Sequence, residues 1–326
     1  MARHLHCVIV DAGPATYMKP VLARWIAEPP GFEWSLRLGE KARAALAGLR
    51  GLAAHLGPDI DRGNGGDDGT DIASGADALL ISAGGWPAEN AHVSAAQRAG
   101  RPVLQFLDTC YNYARRLCRD GLWTLPDRLF MVTRASVAEA AAEGVPEALC
   151  TVVGHPSWEE VRVLPPAEGA DVLFVGAPVT RHYGRRLGYT EDDAWNMLCD
   201  ALARNAGWHG RVCYAAHPEQ DAMPPDVTRI DYSVAALARF DTVAGMFSAP
   251  LVDAFLAGRR CLSLQPGATD TDMFFLSRQG FLPRFTDGDA LAGSLSVSPP
   301  DPAAFAREMR GSFARLQRAV TGALAA

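Results

Sequence analysis

Two stretches decide how this chain folds: Val212-Cys-Tyr-Ala-Ala-His-Pro-Glu219 and Asp241-Thr-Val-Ala-Gly-Met-Phe-Ser-Ala-Pro-Leu-Val-Asp-Ala-Phe255. The first is a short apolar run that stops at His217-Pro218. Proline has no amide hydrogen and biases the residue before it toward extended backbone, so this pair belongs at the carboxyl end of a strand. The second is another apolar run, broken at Ser248-Ala249-Pro250 and followed by a helix that places Leu251, Phe255 and Leu256 on one face. Ser248 then stands at a helix amino end, where unpaired amide hydrogens and the dipole favour an anion. A parallel sheet holds ligands outside the carboxyl ends of its strands, so both motifs point to one crevice.

Outward from there the same grammar recurs. In the first half, apolar strands are expected near His6–Val10, Asp77–Ser82, Val103–Leu107, Leu129–Val132 and Cys150–Val153. Helical spacing separates them, beginning with Met18, Leu22 and Ile26. The proline-rich stretch Val163–Gly169 is the best linker, after which the pattern restarts at Asp171–Val175. Strands alternating with helices imply right-handed crossovers and a mainly parallel sheet. The fold class expected is α/β: two Rossmann-like domains, 1–165 and 166–326, facing across a cleft, with a closing carboxyl-terminal helix in the second. A short strand is also expected near Ser294–Val297. The glycine-rich segment Asp59–Gly75 lacks the spacing of a calcium loop and is read as a surface loop.

A chain of 326 residues suits two cores. Its 31 basic and 37 acidic side chains give a net charge of −6, which argues against broad binding to nucleic acid or anionic membranes. No stretch approaches the roughly 20 apolar residues of a membrane span. The 7 cysteines show no Cys-x-x-Cys pair, as expected for reduced thiols in a cytoplasmic protein.

The common catalytic signatures are missing. No Gly-x-Gly-x-x-Gly follows a strand, and neither a P-loop, a Gly-x-Ser-x-Gly nor a His-Glu-x-x-His occurs. Asp270-Thr-Asp272 has no histidine nearby and is read as a cap or loop, so neither a metal site nor a cofactor is expected. What remains is a set of strand-end groups. In the first half these are Asp108 and the rim residues Gly13, Gly85 and Trp86, whose glycines allow close backbone approach and whose indole offers a flat surface. In the second half they are Gly176, Arg181, Arg185, His217 and Ser248. A carboxylate opposite an anion site can take a proton from a hydroxyl while imidazole and helix amides stabilise a departing phosphate. The alternative for Asp108 is a cap of the helix near Tyr111–Cys118, and Arg181 and Arg185 are weighed as phosphate contacts against ordinary surface charges.

These residues resemble the glycosyltransferase B-type superfamily. It includes bacterial sialyltransferases, capsule transferases, teichoic-acid glycerophosphotransferases and UDP-N-acetylglucosamine 2-epimerases. The resemblance is carried by His217-Pro218, by Met246-Phe-Ser-Ala-Pro250, by Ser263-Leu-Gln-Pro-Gly267 and by Leu107-Asp-Thr-Cys-Tyr-Asn-Tyr113. It implies that Asp108 is the base, that His217 serves the leaving nucleotide and that Ser248 binds its phosphate. The implied partners are a nucleotide-sugar donor and a hydroxyl-bearing acceptor, and the implied activity is a metal-independent glycosyl transfer in carbohydrate biosynthesis. A nucleotide-sugar epimerase or hydrolase, or a non-catalytic nucleotide- or sugar-binding protein, is the alternative. Assembly into a homo-oligomer stays open. The acidic triplet of the sialyltransferases is not found at Asp108, and the epimerases' His-x-Glu-Ala-Gly does not occur.

Overall fold

Leu5, Cys7, Val8 and Ile9 are apolar on both faces of one strand, interrupted only by His6, and a strand of that kind is stable only with both faces covered. In the computed structural model, which describes residues 3–60, 75–220, 223–268, 272–295 and 298–325, that strand lies inside a parallel sheet. By contacts the chain divides into two units, one formed by Met1–Glu160 with Glu308–Ala326 and the other by Val161–Arg307.

The first unit begins with β1 (His4–Ile9), α1 (Ala12–Ala27), β2 (Glu33–Leu38) and α2 (Glu40–Leu46). It continues through β3 (Ala78–Ser82), α3 (Pro87–Arg98), β4 (Val103–Phe106) and α4 (Tyr113–Leu117). A small antiparallel hairpin follows, β5 (Cys118–Arg119) with β6 (Leu122–Trp123), and then β7 (Arg128–Met131), α5 (Arg134–Ala142), β8 (Cys150–Val152) and α6 (Pro156–Glu159). The six-stranded sheet has the order β2-β1-β3-β4-β7-β8. Parallel bridges Leu36–Leu56 and Gly39–Ile60 extend it beyond β2. The chain therefore steps outward from β1 to one side and then reverses to the other, placing the switch point between β1 and β3. Strand β2 had no counterpart in the sequence reading, although Trp34, Leu36 and Leu38 alternate with Glu33, Ser35 and Arg37 as a strand requires.

The second unit repeats the plan with β9 (Val172–Val175), α7 (Val179–Tyr183), α8 (Glu191–Arg204), β10 (Val212–Ala215) and β11 (Thr228–Arg229). It then adds β12 (Thr242–Gly245), α9 (Ala249–Leu256), β13 (Arg260–Leu264), α10 (Phe275–Arg278), β14 (Arg284–Phe285) and α11 (Gly288–Ser294). Its order, β11-β10-β9-β12-β13-β14, is the 3-2-1-4-5-6 order of a Rossmann sheet, with the switch point between β9 and β12. Helix α8 shows how locally this is specified. Thr190 and Asp193 close a capping box, Thr190 N donating to Asp193 Oδ2 at 2.9 Å and Asp193 N to Thr190 Oγ1 at 3.2 Å. Ala194, Met197, Leu198, Ala201 and Leu202 then bury one helical stripe.

Two expectations are corrected. The short strand expected near Ser294–Val297 is not seen at Ser294, which ends α11, while 296–297 lie outside the described residues, as does most of the Asp59–Gly75 segment. The closing helix does not belong to the second domain. After α12 (Ala303–Met309) the chain turns at Gly311, whose φ of 79° needs glycine, into α13 (Ser312–Ala325). That helix buries Leu316, Val320 and Leu324 in the first unit's core beside Leu22 and Trp25. Trp25 Nε1 donates to Gln317 Oε1 at 2.5 Å, and the Glu159 carboxylate accepts from Gly311 N at 2.6 Å and Phe313 N at 2.9 Å. An apolar stripe states that a helix must be covered, but not by which sheet.

Candidate functional site

At the carboxyl edge of the second sheet, β9 runs on into Gly176, β10 into Ala216-His217 and β12, by way of Met246, into Phe247-Ser248. The ends of β9 and β10 open into a cavity of about 680 Å³, lined among others by Gly176, His217, Gln220, Arg229, Tyr232 and Pro250. His217 N donates to Gln220 Oε1 at 3.4 Å and Gln220 N to the His217 carbonyl at 2.9 Å, which makes residues 217–220 a tight turn. His217 Nδ1 accepts the Glu219 amide at 3.1 Å, so a neutral ring carries its proton on Nε2. A Cβ at Gly176 would meet Gln220 Oε1 and lie 3.1 Å from the Tyr214 hydroxyl, so glycine is what lets the turn close over the strand end.

Ser248 is the N-cap residue of α9 yet makes no side-chain cap bond, and its buried Oγ has no hydrogen-bond partner among the described residues. Pro250 lies in the first turn of this helix and also lines the cavity. An orphaned hydroxyl at a helix amino end, beside a cavity that the same helix lines through Pro250, is a place for an oxyanion. Farther along the same edge, Gln265 and Tyr189 are also buried with Gln265 Oε1 and the Tyr189 hydroxyl unpartnered. Their neighbour is Asp272, which accepts from Gln265 Nε2 at 2.6 Å, Ser277 Oγ at 2.5 Å and Phe274 N at 2.9 Å. Asp272 was read as a cap or loop, and through Phe274 N it does cap, but it is also the hub of a buried polar cluster.

The two arginines fare differently. Arg181 Nη1 donates to the Glu219 carbonyl at 3.2 Å, beside the His217 turn, where His182 Nε2 also meets Glu219 Oε2 at 2.9 Å. Arg185 is exposed, pairs with Asp193 Oδ2 at 3.4 Å and lines a separate, acidic depression with Asp200, Asp287 and Asp289. The structure does not bring it to the His217 cavity.

In the first unit, Asp11, Gly13, Ser82, Trp86 and Asp108 gather at the carboxyl ends of β1, β3 and β4. Asp108 does not cap the next helix: the N-cap residue of α4 is Asn112, held at φ 56°. Its side chain, 10% exposed, lies against Gly13, where any Cβ would collide with Oδ2. Arg116 Nη1 stands 3.8 Å from Asp108 Oδ1. Burial raises the Asp108 carboxyl above the usual range; Arg116 opposes the shift and Asp11 adds to it. His155, 4% exposed, is stacked on Trp158 at 3.8 Å and edge-on to Tyr17 at 4.6 Å. Burial pushes its imidazole down to about 3, while a hydrogen bond with the Asp108 main chain works the other way. Stacked and buried in this way, it is a structural histidine.

The residue missed in this rim is Glu89. It is 1% exposed and accepts from Ser82 Oγ at 2.5 Å, Gly84 N at 2.8 Å and Trp86 N at 3.1 Å. Burial pushes its carboxyl up to about 7 against those three donors and Arg116. Gly85, at φ 80°, has Arg115 O and Arg116 Cα each 3.2 Å from where a Cβ would be. Among the described residues no group of three or more His, Cys, Asp or Glu is placed to hold a metal, and no helix is long and apolar enough to cross a membrane. All seven cysteines are free.

No family model and no curated protein matches the chain. Solved structures do. The glycotransferase of kitacinnamycin aligns at a TM-score of 0.60 with 16% identity, covering 99% of this chain and 100% of its own. The lipopolysaccharide outer core galactosyltransferase WaaB, in its apo form, gives 0.61 at 12% identity, covering 98% and 99%. The UDP-GlcNAc 2-epimerase from Neisseria meningitidis, bound to UDP-GlcNAc, gives 0.65 at 10% identity, covering 98% and 100%. With two Rossmann-like sheets matched over nearly its whole length, the chain has the glycosyltransferase B-type fold that these transferases and epimerases share.

Proposed function

We propose that this chain is an enzyme that moves a sugar from a nucleotide-activated donor to a hydroxyl-bearing acceptor. The observation that carries the reading is the orphaned Ser248 hydroxyl at the head of α9, beside the cavity holding His217. In this account the second unit binds the donor. Ser248 and the α9 amides take a phosphate oxygen, and the His217 Nε2 proton stabilises the charge that develops as the nucleotide leaves. Arg181, beside the His217 turn, adds positive charge to the same edge. The first unit supplies Asp108 as the base that takes the acceptor proton, with Gly13, Gly85 and Trp86 forming the rim around it. Imidazole and helix amides do the work a divalent cation does in other transferases, so a chelator leaves turnover unchanged. The setting is carbohydrate or glycoconjugate biosynthesis in the cytoplasm.

A second reading, nucleotide-sugar epimerisation or hydrolysis, is favoured by the likeness to the epimerase at a TM-score of 0.65 and by carboxyls in the first rim whose proton affinity is raised. Product analysis after incubation with a donor, with and without acceptor hydroxyls, separates them. Transfer requires the acceptor, hydrolysis only water, and epimerisation returns an isomeric donor. His217→Ala abolishes turnover with the fold intact; near-normal rates rule out its assigned role.

A further inference from the structure

Glu89 has no place in that mechanism, yet it is the most completely buried carboxyl of the first rim and each of its contacts leads toward Asp108. Its Oε1 takes the Ser82 hydroxyl, and Ser82 Oγ in turn accepts the Val10 amide at 3.4 Å, so β1 and β3 are tied through it at the switch point. Its Oε2 takes the amides of Gly84 and Trp86 and clamps the turn from below. From above the turn is pressed on α4, since Gly85 lies within van der Waals reach of the Arg115 and Arg116 backbone. The Ala83 carbonyl at the head of the turn accepts from Arg116 Nη1 at 3.1 Å. That same nitrogen is the one 3.8 Å from Asp108.

We propose that Glu89 is a positioning residue: through the Ala83–Trp86 turn it holds the Arg116 guanidinium against the Asp108 carboxylate. The inference rests on the reading of Asp108 as the base only for its catalytic consequence; the linkage itself concerns the free protein. A carboxylate accepting two turn amides and a hydroxyl fixes the turn. Once protonated, with the proton on Oε1 and the Ser82 hydroxyl turned to accept it, Glu89 loses the charge that strengthens its two amide bonds at Oε2, and the clamp loosens. Arg116 then loses its carbonyl anchor and Asp108 its counter-ion. The charged and titratable groups around the pair include Arg116 from α4, which faces both carboxyls, Asp11 from the end of β1 and Tyr17 from α1, which both face Asp108, His92 one turn along α3, whose Nδ1 meets the Ala88 carbonyl at 2.7 Å, and His155, bonded to the Asp108 main chain. Arg116 is the one that both carboxyls share.

The test is a carboxyl carbon NMR titration of the full chain without substrate, with Asp108 assigned by Asp108→Asn. In the native protein the Asp108 resonance shows a second inflection at a pH of about 7, where Glu89 titrates. Glu89→Gln removes that inflection and moves the Asp108 midpoint upward; in a transfer assay the same variant lowers kcat about tenfold at neutral pH with KM unchanged. A single Asp108 inflection in the native protein, or a midpoint indifferent to Glu89→Gln, overturns the inference. The native titration decides even where the variant does not fold. If Asp108→Asn transfers sugar at the native rate, the base assignment falls by a separate result, and the NMR linkage is judged on its own.

Discussion

The rims of the two sheets are built from the same strand-turn-helix units and solve opposite problems. In the first, the carboxyls and the imidazole are turned inward and partnered, with Glu89 taking three donors, Asp108 facing Arg116 and His155 packed against Trp158 and Tyr17, while Thr109 Oγ1 next to Asp108 is buried without a partner among the described residues. In the second, a cavity of about 680 Å³ lies open, and Ser248 Oγ, the Tyr189 hydroxyl and Gln265 Oε1 are buried without partners. Buried polar atoms cost free energy unless satisfied, so an edge carrying three orphans is one that a polar ligand completes. A dry rim with raised carboxyls is suited instead to holding and moving protons. The proposed function places binding on the second sheet and proton chemistry on the first.

The largest effect tests the dryness of the first rim. A folded imidazole at about 3 against an unfolded one at 6.5 means that the unfolded chain takes up a proton the folded chain refuses. The His155 contribution is fully present above pH 6.5 and is lost as pH falls toward 3, up to about 5 kcal/mol. Glu89 acts in the opposite sense between its usual range and about 7, so the comparison to make is chemical denaturation of native and His155→Gln protein across this window. The variant loses the His155 part of the slope; equal slopes mean that the rim is wet.

Next in size, Asp108→Asn lowers transfer by about 10²–10⁴-fold with nucleotide affinity unchanged, measured by steady-state kinetics and calorimetry. Gly13→Ala, in a helix where alanine is ordinarily favourable, does the same on a smaller scale because its methyl displaces the Asp108 carboxylate. Ser248→Ala sharpens the other side of the comparison: nucleotide affinity falls about tenfold or more while thermal stability is unchanged, because the hydroxyl bonds nothing in the free protein. Thr190→Ala is its mirror, costing about 1 kcal/mol of stability through the capping box with affinity intact. The smallest effect is Arg185→Ala, which leaves nucleotide affinity within about twofold, since an exposed pair with Asp193 holds the arginine on another depression.

What was legible in the sequence was backbone punctuation. His217-Pro218 and Ser248-Ala249-Pro250 mark strand ends by proline chemistry, and the structure places them at the carboxyl edge of one sheet. Asp108 stands two residues past β4, where a charged side chain ends the run Val103–Leu107. Hidden from it were choices of partner. Glu89 looks like any acidic residue in a first helical turn until Ser82, Gly84 and Trp86 are seen to converge on it. Arg185 and Arg181 share a loop and a charge, and only tertiary contacts with Asp193 and Glu219 tell them apart. The last helix announces its apolar stripe, but its return to the first sheet depends on Trp25 and Glu159, more than 150 residues away.

The central claim is that the second sheet's edge is a nucleotide site completed by Ser248 and His217. Titrating UDP, CDP, GDP and CMP into the protein by calorimetry tests it most directly. The account predicts saturable binding of at least one of them, weakened about tenfold or more by Ser248→Ala or His217→Ala and untouched by Asp108→Asn. Absence of binding by all four, or equal affinity in the Ser248 and His217 variants, contradicts it.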